Sequence, residues 1–316
     1  MSVLVVGSVA YDTVITPAGK REDALGGSAT YFSLSGSRFT AISVVAVVGD
    51  DFQSEHVDIL TSQGVDTSGL ESRWGKSFRW SGEYGTEDVS TRQTLDTQLN
   101  VFAEFSPKLA PHHRRAPYVF LANIDPELQL EVLSQVEPSP ILVALDSMNF
   151  WIEGKNSLLR EVVKKVDVLF TDEGEIRELS GEVNLVRAAK RVKQMGPSIV
   201  IVKRGEHGVL LFKGGEAFAA PAFPLGNVVD PTGAGDAFAG GFMGYLASTG
   251  DLSPSGFRRA TVLGSVMGSF AVESFSVDRL YAVSNEDIEA RFRSFSKLSQ
   301  FKALTINESL PWRANT

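Results

Sequence analysis

The stretch Asp230-Pro231-Thr232-Gly233-Ala234-Gly235-Asp236 joins turn formers, three successive small residues and a carboxylate, and an apolar segment at helical spacing, Ala237 to Leu246, follows at once. Small residues let backbone N–H groups approach a ligand closely, and the spacing after them predicts a helix that begins near Ala234. The N–H groups of a first helical turn lack intrahelical partners and carry partial positive charge, so a phosphate is a natural occupant. Asp236 falls in that turn. Accepting or orienting a substrate hydroxyl proton is the chemistry that suits a carboxylate beside an anion hole. The plainer reading is a tight strand-to-helix turn whose small residues serve packing.

The elements that must position this segment follow from periodicity. Short apolar runs at Val3 to Val6, Ile42 to Val48, Tyr118 to Ala122, Ile141 to Leu145, Val168 to Phe170 and Ser198 to Val202 read as strands. Between them, helices are expected at Ser28 to Ser37, Phe52 to Gln63, Pro126 to Gln135, Glu153 to Lys165 and Asn184 to Met195. Repeated βαβ units imply a parallel sheet covered on both faces. Trp74 to Phe105 breaks the rhythm with polar-alternating pieces and reads as an inserted antiparallel flap, joined by the turn-rich Thr16 to Ala24. Two short strands flank Gly214-Gly215, and helices at Ala234 to Ala247 and Phe257 to Phe275 follow, the second with a buried apolar stripe. Ligands of open α/β sheets bind beyond the carboxyl ends of the strands. Asp12, Asp146 with Asn149, Asp172 with Glu175, and Lys203 to Gly208 all fall at such ends.

Composition narrows the function classes. The 316 residues are 43% hydrophobic and 22% charged, which suits a folded domain with a sizeable core. A formal net charge of −8 argues against nucleic-acid or anionic-membrane partners. The absence of cysteine excludes disulfides, thiolate metal sites and cysteine nucleophiles. His112-His113 lies in a Pro/Arg-rich loop and reads as solvated surface, because helical zinc pairs want i, i+4 spacing. No basic n-region precedes Val3 to Val6, and the apolar run from Ala41 to Val48 is too short to span a membrane, so a soluble cytoplasmic protein is expected. Gly75-Lys76-Ser77 fails as a phosphate-binding loop because its first glycine, Gly69, is one residue too far away and no strand is expected before it. Glycines needed for a dinucleotide fingerprint are missing after Gly7, and no serine has the surroundings of a hydrolase elbow.

Asp230 to Met243 resembles the C-terminal signature of the ribokinase family of carbohydrate kinases, also called the PfkB family. Leu25-Gly26-Gly27-Ser28-Ala29 resembles the family's N-terminal glycine pair, and Val48-Gly49-Asp50-Asp51-Phe52 its second strand exit. The resemblance covers nearly the whole chain. It implies one ribokinase-like α/β domain over 1–316, a doubly wound, mostly parallel sheet with helices on both faces and a small β lid from about 12–24 and 74–105. It further implies ATP-dependent transfer of the γ-phosphoryl group onto a hydroxymethyl group of a sugar or polyol, with Mg2+ and with a monovalent cation left open. A nucleoside of the adenosine or cytidine type is the alternative acceptor. A non-catalytic nucleotide- or metabolite-binding regulator is the alternative from another class.

Under that resemblance Asp236 is the catalytic base, and the amides of Gly233, Ala234 and Gly235 hold the transferring phosphoryl group. Standing near a helix N-terminus, Asp236 is expected to be a weak base, sufficient for a loose transition state that demands mainly alignment. Gly26 and Gly27 bring backbone close to the acceptor, and Asp12 accepts hydrogen bonds from two of its hydroxyls. Lys203, Gly205 and Gly208 belong to a loop that resembles the family's glycine-bearing loop against ATP, with Asp230 and Thr232 also on the nucleotide side. A plain hairpin turn is the alternative for that loop. Two departures stand out. Tyr31 occupies the place of the family's acceptor-contacting Asn, and Asp172-Glu173-Gly174-Glu175 replaces the N-x-x-E motif that organises magnesium, with Asp172 and Glu175 as the metal residues or simply an acidic helix start. Tyr31, Trp74, Phe78, Trp80 and Tyr84 offer stacking for a base, a lid core or a dimer face. Exposed lid edges need cover, so a homodimer through the lids is expected.

Overall fold

The computed structural model describes residues 1–85 and 92–310. Strand β1 (Ser2–Val6) leads into a hairpin of β2 (Ala10–Thr16) and β3 (Gly19–Gly26), then α1 (Ser28–Gly36), β4 (Ala41–Gly49), α2 (Ser54–Ser62) and β5 (Asp66–Arg73). A second hairpin, β6 (Arg79–Tyr84) and β7 (Arg92–Gln98), precedes the single turn α3 (Pro111–Arg114) and β8 (Tyr118–Leu121). The chain continues through α4 (Pro126–Gln135), β9 (Leu142–Leu145), α5 (Asn149–Gly154), α6 (Asn156–Val163), β10 (Val168–Asp172), α7 (Glu173–Ser180), α8 (Leu185–Lys193) and β11 (Ile199–Lys203). It ends with β12 (Val209–Lys213), β13 (Glu216–Ala220), α9 (Ala234–Thr249), α10 (Pro254–Ala271), α11 (Asp278–Ala282) and α12 (Asn285–Leu298).

Nine strands form the main sheet in the order β13-β12-β11-β10-β9-β8-β1-β4-β5. The neighbours from β11 to β5 are parallel, and β12 and β13 add an antiparallel edge. Because successive side chains point to opposite faces, the apolar strand runs feed two cores at once. Val3 and Val5 face one core and Leu4 and Val6 the other, and Ile199 and Ile201 alternate with Val200 and Val202 in the same way. Phe32 of α1, Phe242 of α9 and Met267 of α10 fill the first core, while Val132, Leu159, Ile176 and Val192 bring α4, α6, α7 and α8 onto the second.

The lid is a separate four-stranded sheet, β3-β2-β6-β7. Each hairpin is antiparallel, and β2 joins β6 in parallel. Its strands occupy 10–26 and 79–98, so the expected segment 74–105 encloses the second hairpin while 12–24 falls short of the first at both ends; residues 86–91 lie outside the described residues. Ser77, in the failed phosphate-loop look-alike, is fully buried and anchors the lid's base: its hydroxyl accepts from the Gly49 amide at 3.0 Å and donates to Asp51 at 2.7 Å.

Several elements depart from expectation. The anticipated helix from 153 to 165 is two helices, α5 and α6, broken at Lys155 (φ −132°, ψ 37°). Strand β5 was not anticipated, because its sequence DTSGLESR carries little apolar alternation; it forms as an edge strand by pairing with β4. Helix α7 begins at a reciprocal capping box, in which the Glu175 amide donates to Asp172 Oδ1 and the Asp172 amide to Glu175 Oε2, each at 2.8 Å. Beyond Phe275 the helices α11 and α12 were also unread.

Candidate active site

The acceptor side is built on the exit from β3. Gly27 has φ +94°, and a Cβ there would sit 2.5 Å from the Ser8 carbonyl oxygen. A Cβ on Gly26 would lie 2.0 Å from Asp12 Oδ2. The glycine pair therefore lets the Asp12 carboxylate lie flat against backbone, where its Oδ2 accepts a long bond from the Gly27 amide at 3.4 Å. Oδ1 has no protein donor among the described residues. Burial pushes the Asp12 carboxyl up to about 7, Asp230 adding to the rise and the Gly27 amide and Arg92 opposing it.

Opposite it stands the start of α9. Gly233 caps the helix in the left-handed conformation (φ 72°, ψ 0°), and its missing side chain is filled from below by Tyr31, whose Cγ would be 2.2 Å from a Cβ. The amide of Ala237 closes the first helical bond to Gly233 at 2.8 Å, and the amide of Ala234 turns back to Pro231 at 3.3 Å. The amides of Gly233, Gly235 and Asp236 have no acceptor among the described residues, which leaves them free for an anion. Of the three amides expected to form the cradle, that of Ala234 donates within the turn, while those of Gly233 and Gly235 do not. Lys203 arrives at the same place: a Cβ on Gly235 would be 2.9 Å from Lys203 Nζ.

Asp236 was expected to be a weak base beside a helix N-terminus; burial, reinforced by Asp146, instead raises its carboxyl to about 8, with Lys203 only partly opposing.

The ends of three adjacent strands complete the crevice. Asp146 follows β9, Asp172 ends β10 and Lys203 ends β11 directly across from Asp172. Lys203 Nζ donates to Asp146 Oδ2 at 2.6 Å. Burial would lower the lysine, but Asp146 and Glu175 hold it above its ordinary value, so it stays charged. Burial raises Asp146 against the pull of Lys203. Glu175 is pushed up to about 8 by burial and by Asp172 and Asp146. Such crowding of carboxyl groups around one ammonium is what an added cation relieves. Among the described residues, Asp172 Oδ2 and Glu175 Oε1 accept no hydrogen bond and lie beside the capping box, hard oxygens of the kind Mg2+ takes. Asp146, Asp172 and Glu175 do not close into one tight ligand cluster, as suits an ion that keeps several waters. The donor set fits Mg2+, which supplies charge neutralisation for transferring phosphoryl oxygens when bound.

Other expected residues serve the frame. Asp230 is buried and spends both oxygens on backbone, Oδ1 on the Thr232 amide at 2.9 Å and Oδ2 on the Ser276 amide at 3.2 Å. The Thr232 hydroxyl meets Tyr84 Oη at 3.1 Å. These two side chains hold the loop to α10's exit and to the lid. Tyr31, 1% exposed, presents no face to a base, so its expected stacking role is also corrected. Gly208 (φ +83°) is required by the Ala220 carbonyl, 2.1 Å from a would-be Cβ, and Gly205 (φ +54°) by the turn, so the hairpin between β11 and β12 accounts for both glycines. Lys203 of that loop reaches the crevice, where it meets Asp146, and Arg204 pairs with Glu173 at the start of α7. Asn149 turns away to Glu178 at 3.0 Å.

Two members of the site had no assigned role in the sequence. Asp146 was visible at the rim, but its ion pair with Lys203 spans 57 residues and needs the strand order to be seen. Arg92 of β7 lies near enough to oppose the rise of both Asp12 and Asp236, and nothing in its polar strand marks it.

An anion cradle on the rim of a doubly wound sheet, facing a second carboxylate under a β lid, defines a small-molecule phosphotransferase of ribokinase-like fold. The sequence matches the pfkB family carbohydrate kinases over residues 2–279, and the chain belongs to that family. It is 32% identical over 256 residues to a cytidine kinase of Thermococcus kodakarensis, covering 78% of this chain and 88% of that protein. A nucleoside kinase of Methanothermobacter thermautotrophicus is 26% identical over 85% of this chain and 89% of its own length. Among solved structures, a ribokinase-like E. coli protein in complex with ATP and Mg2+ superimposes with a TM-score of 0.74 at 19% identity, over 93% of this chain and 99% of that one. The protein is therefore a kinase that phosphorylates a sugar or nucleoside with ATP. Among the described residues, no helix is long and apolar enough to cross a membrane.

Proposed function

We propose that the acceptor is a ribonucleoside, phosphorylated on its hydroxymethyl group. The observation that favours this over a free sugar is the identity with cytidine kinase along most of that protein's length. In this reading Asp12 Oδ1 accepts from the ribose hydroxyls and so orients the sugar toward α9. The hydroxymethyl oxygen attacks the γ-phosphorus, its proton passes to the Asp236 carboxylate, and the bond to the β-phosphate oxygen breaks to release ADP. The amides of Gly235 and Asp236, with Lys203, hold the charge on the equatorial oxygens. A carboxyl held near 8 is mostly protonated in the free protein at neutral pH. Positive charge arriving in the crevice favours its ionised form, the one able to take a proton.

Consumption of ATP measured against cytidine, uridine, adenosine, inosine, ribose, fructose and inositol tests the reading. Nucleosides are expected to lead free sugars in kcat/KM by about 100-fold, the scale at which a missing base leaves polar groups unpaired. Asp236→Asn should lower turnover about 100-fold or more while nucleotide still binds. Turnover of sugars with none of nucleosides overturns the acceptor, and near-normal turnover in the variant overturns the base.

We also propose a cytoplasmic setting, where ATP is supplied, and a homodimer formed through the lids. The support for the dimer is β7, exposed over its whole length, together with Trp74, 92% exposed at the lid's base.

A further inference from the structure

At the far end of the sheet from the crevice, three side chains converge that phosphoryl transfer does not use. Asp66 opens β5 and is paired with Ser43 near the start of β4, while His112 and His113 form the single turn α3. Asp66 Oδ2 lies 3.3 Å from His112 Nε2 and 3.6 Å from His113 Nε2. Among the described residues, this is the one trio of His, Cys, Asp or Glu side chains whose ligand atoms all fall within 4.8 Å of one another.

His113 was expected at the surface and is instead 1% exposed at its side chain, lodged against Gly69, where a Cβ would be 2.9 Å from His113 Cε1. Neither of its ring nitrogens has a hydrogen-bond partner among the described residues. A buried imidazole whose Nε2 has only the Asp66 carboxylate at 3.6 Å and whose Nδ1 has no partner among the described residues is costly and calls for an explanation. The carboxylate is prepared on its other sides, since Oδ1 accepts from the Ser68 amide at 3.0 Å and Oδ2 from the Ser43 hydroxyl at 3.1 Å.

We propose that Asp66, His112 and His113 bind a divalent transition ion of the Zn2+ type, which pins α3 to the edge strand β5. Ligand bonds of about 2.0–2.1 Å in a tetrahedron put donor atoms about 3.3 Å apart, close to the spacings from Asp66 to the two imidazoles. Two imidazoles and one carboxylate select Zn2+ over Mg2+, which prefers an all-oxygen shell. Adjacent histidines rarely share a ligand, but here the tight turn sets their rings 3.9 Å apart at 52°, both toward the same carboxylate. Burial and the neighbouring His112 lower the His113 imidazole, which keeps it neutral and able to ligate. Burial would raise Asp66, yet the Ser68 and Ser43 bonds hold it down at about 2, so its charge is present throughout the neutral range. His112, 58% exposed at its side chain, leaves the fourth position open to water.

The test uses the full-length protein stripped with a chelator and titrated with ZnCl2, read by calorimetry and by metal content after dialysis. Wild type is expected to retain one Zn2+ per chain at this site and to melt at a higher temperature with the ion than without it. His112→Ala, at an exposed position, and Asp66→Asn should each weaken that binding at least tenfold and abolish the rise in Tm. Asp172→Asn, in the crevice, should leave it in place, which separates this site from the Mg2+ side chains. Kinase activity of His112→Ala should stay within about twofold of wild type, since ligands of the reaction bind at the opposite end of the sheet. No retained Zn2+ in wild type, or retention unchanged in both His112→Ala and Asp66→Asn, overturns the site; either result leaves an ordinary Asp–His contact.

Discussion

The ring of Tyr31 lies directly beneath Gly233 and sets the height of the anion cradle above the core. Its hydroxyl is buried without a partner among the described residues, and burial raises its pKa well above the ordinary value. The ring is thus needed and the hydroxyl is not. Tyr31→Phe is expected to keep kcat/KM within about threefold and to leave stability unchanged or raise it by about 1 kcal/mol, the release from one unsatisfied buried hydroxyl. Steady-state kinetics with a melting curve check this, and a tenfold rise in acceptor KM would restore Tyr31 as a substrate contact. Asp236, Gly233 and Gly235 were legible in the sequence because a turn, a small-residue run and a carboxylate sit within seven consecutive positions. Tyr31 was not, since its burial depends on α9 crossing α1, a contact between residues some 200 positions apart. The lifted pKa of Asp236 was hidden for the same reason: it comes from Asp146 and from enclosure, not from its own helix.

At the scale of elements, the buried strands announce themselves because both faces are covered, so they read as apolar runs. Polar edge strands such as β5 and β7 do not, and their existence rests on a partner strand rather than on composition. The lid was legible as an interruption in the βαβ rhythm, whereas the parallel pairing of β2 with β6 required its two hairpins to be brought together. That sheet keeps free edges at β3 and β7. Open edges recruit other strands, and Leu95 on β7 adds an exposed apolar side chain. Light scattering on the 34.2 kDa chain is expected to give twice that mass, and Leu95→Lys to shift the population toward monomer while the melting temperature changes little. Monomeric wild type at assay concentration would remove the lid as an interface.

Over the whole molecule, a net charge of −8 is spread so that several acids converge on one crevice with Lys203 and Arg92 as the facing cations. This has a consequence for stability. Asp12 is raised to about 7 and Asp236 and Glu175 to about 8, burial being the leading cause for each. In the unfolded chain the same groups release protons near pH 4. Between those limits the folded state holds more protons, so the contribution of these groups is full below about pH 4 and is lost as pH rises through 7 and 8. His56 and His113, both lowered by burial, act in the opposite sense, but in the unfolded chain they are already mostly deprotonated at pH 7 and add only a small rise above it. The window from pH 7.0 to 8.5 therefore isolates the crevice. In chelator and without nucleotide, Tm is expected to fall by roughly 3 °C across it, the size of a change of about 1–2 kcal/mol in a chain of this length. Asp236→Asn, neutral throughout, should show a shallower fall, because one of the titrating groups is gone. A melting temperature that is flat or rises over this range would mean that these carboxyl groups are already ionised in the folded protein, and that the crevice is wetter than its packing implies.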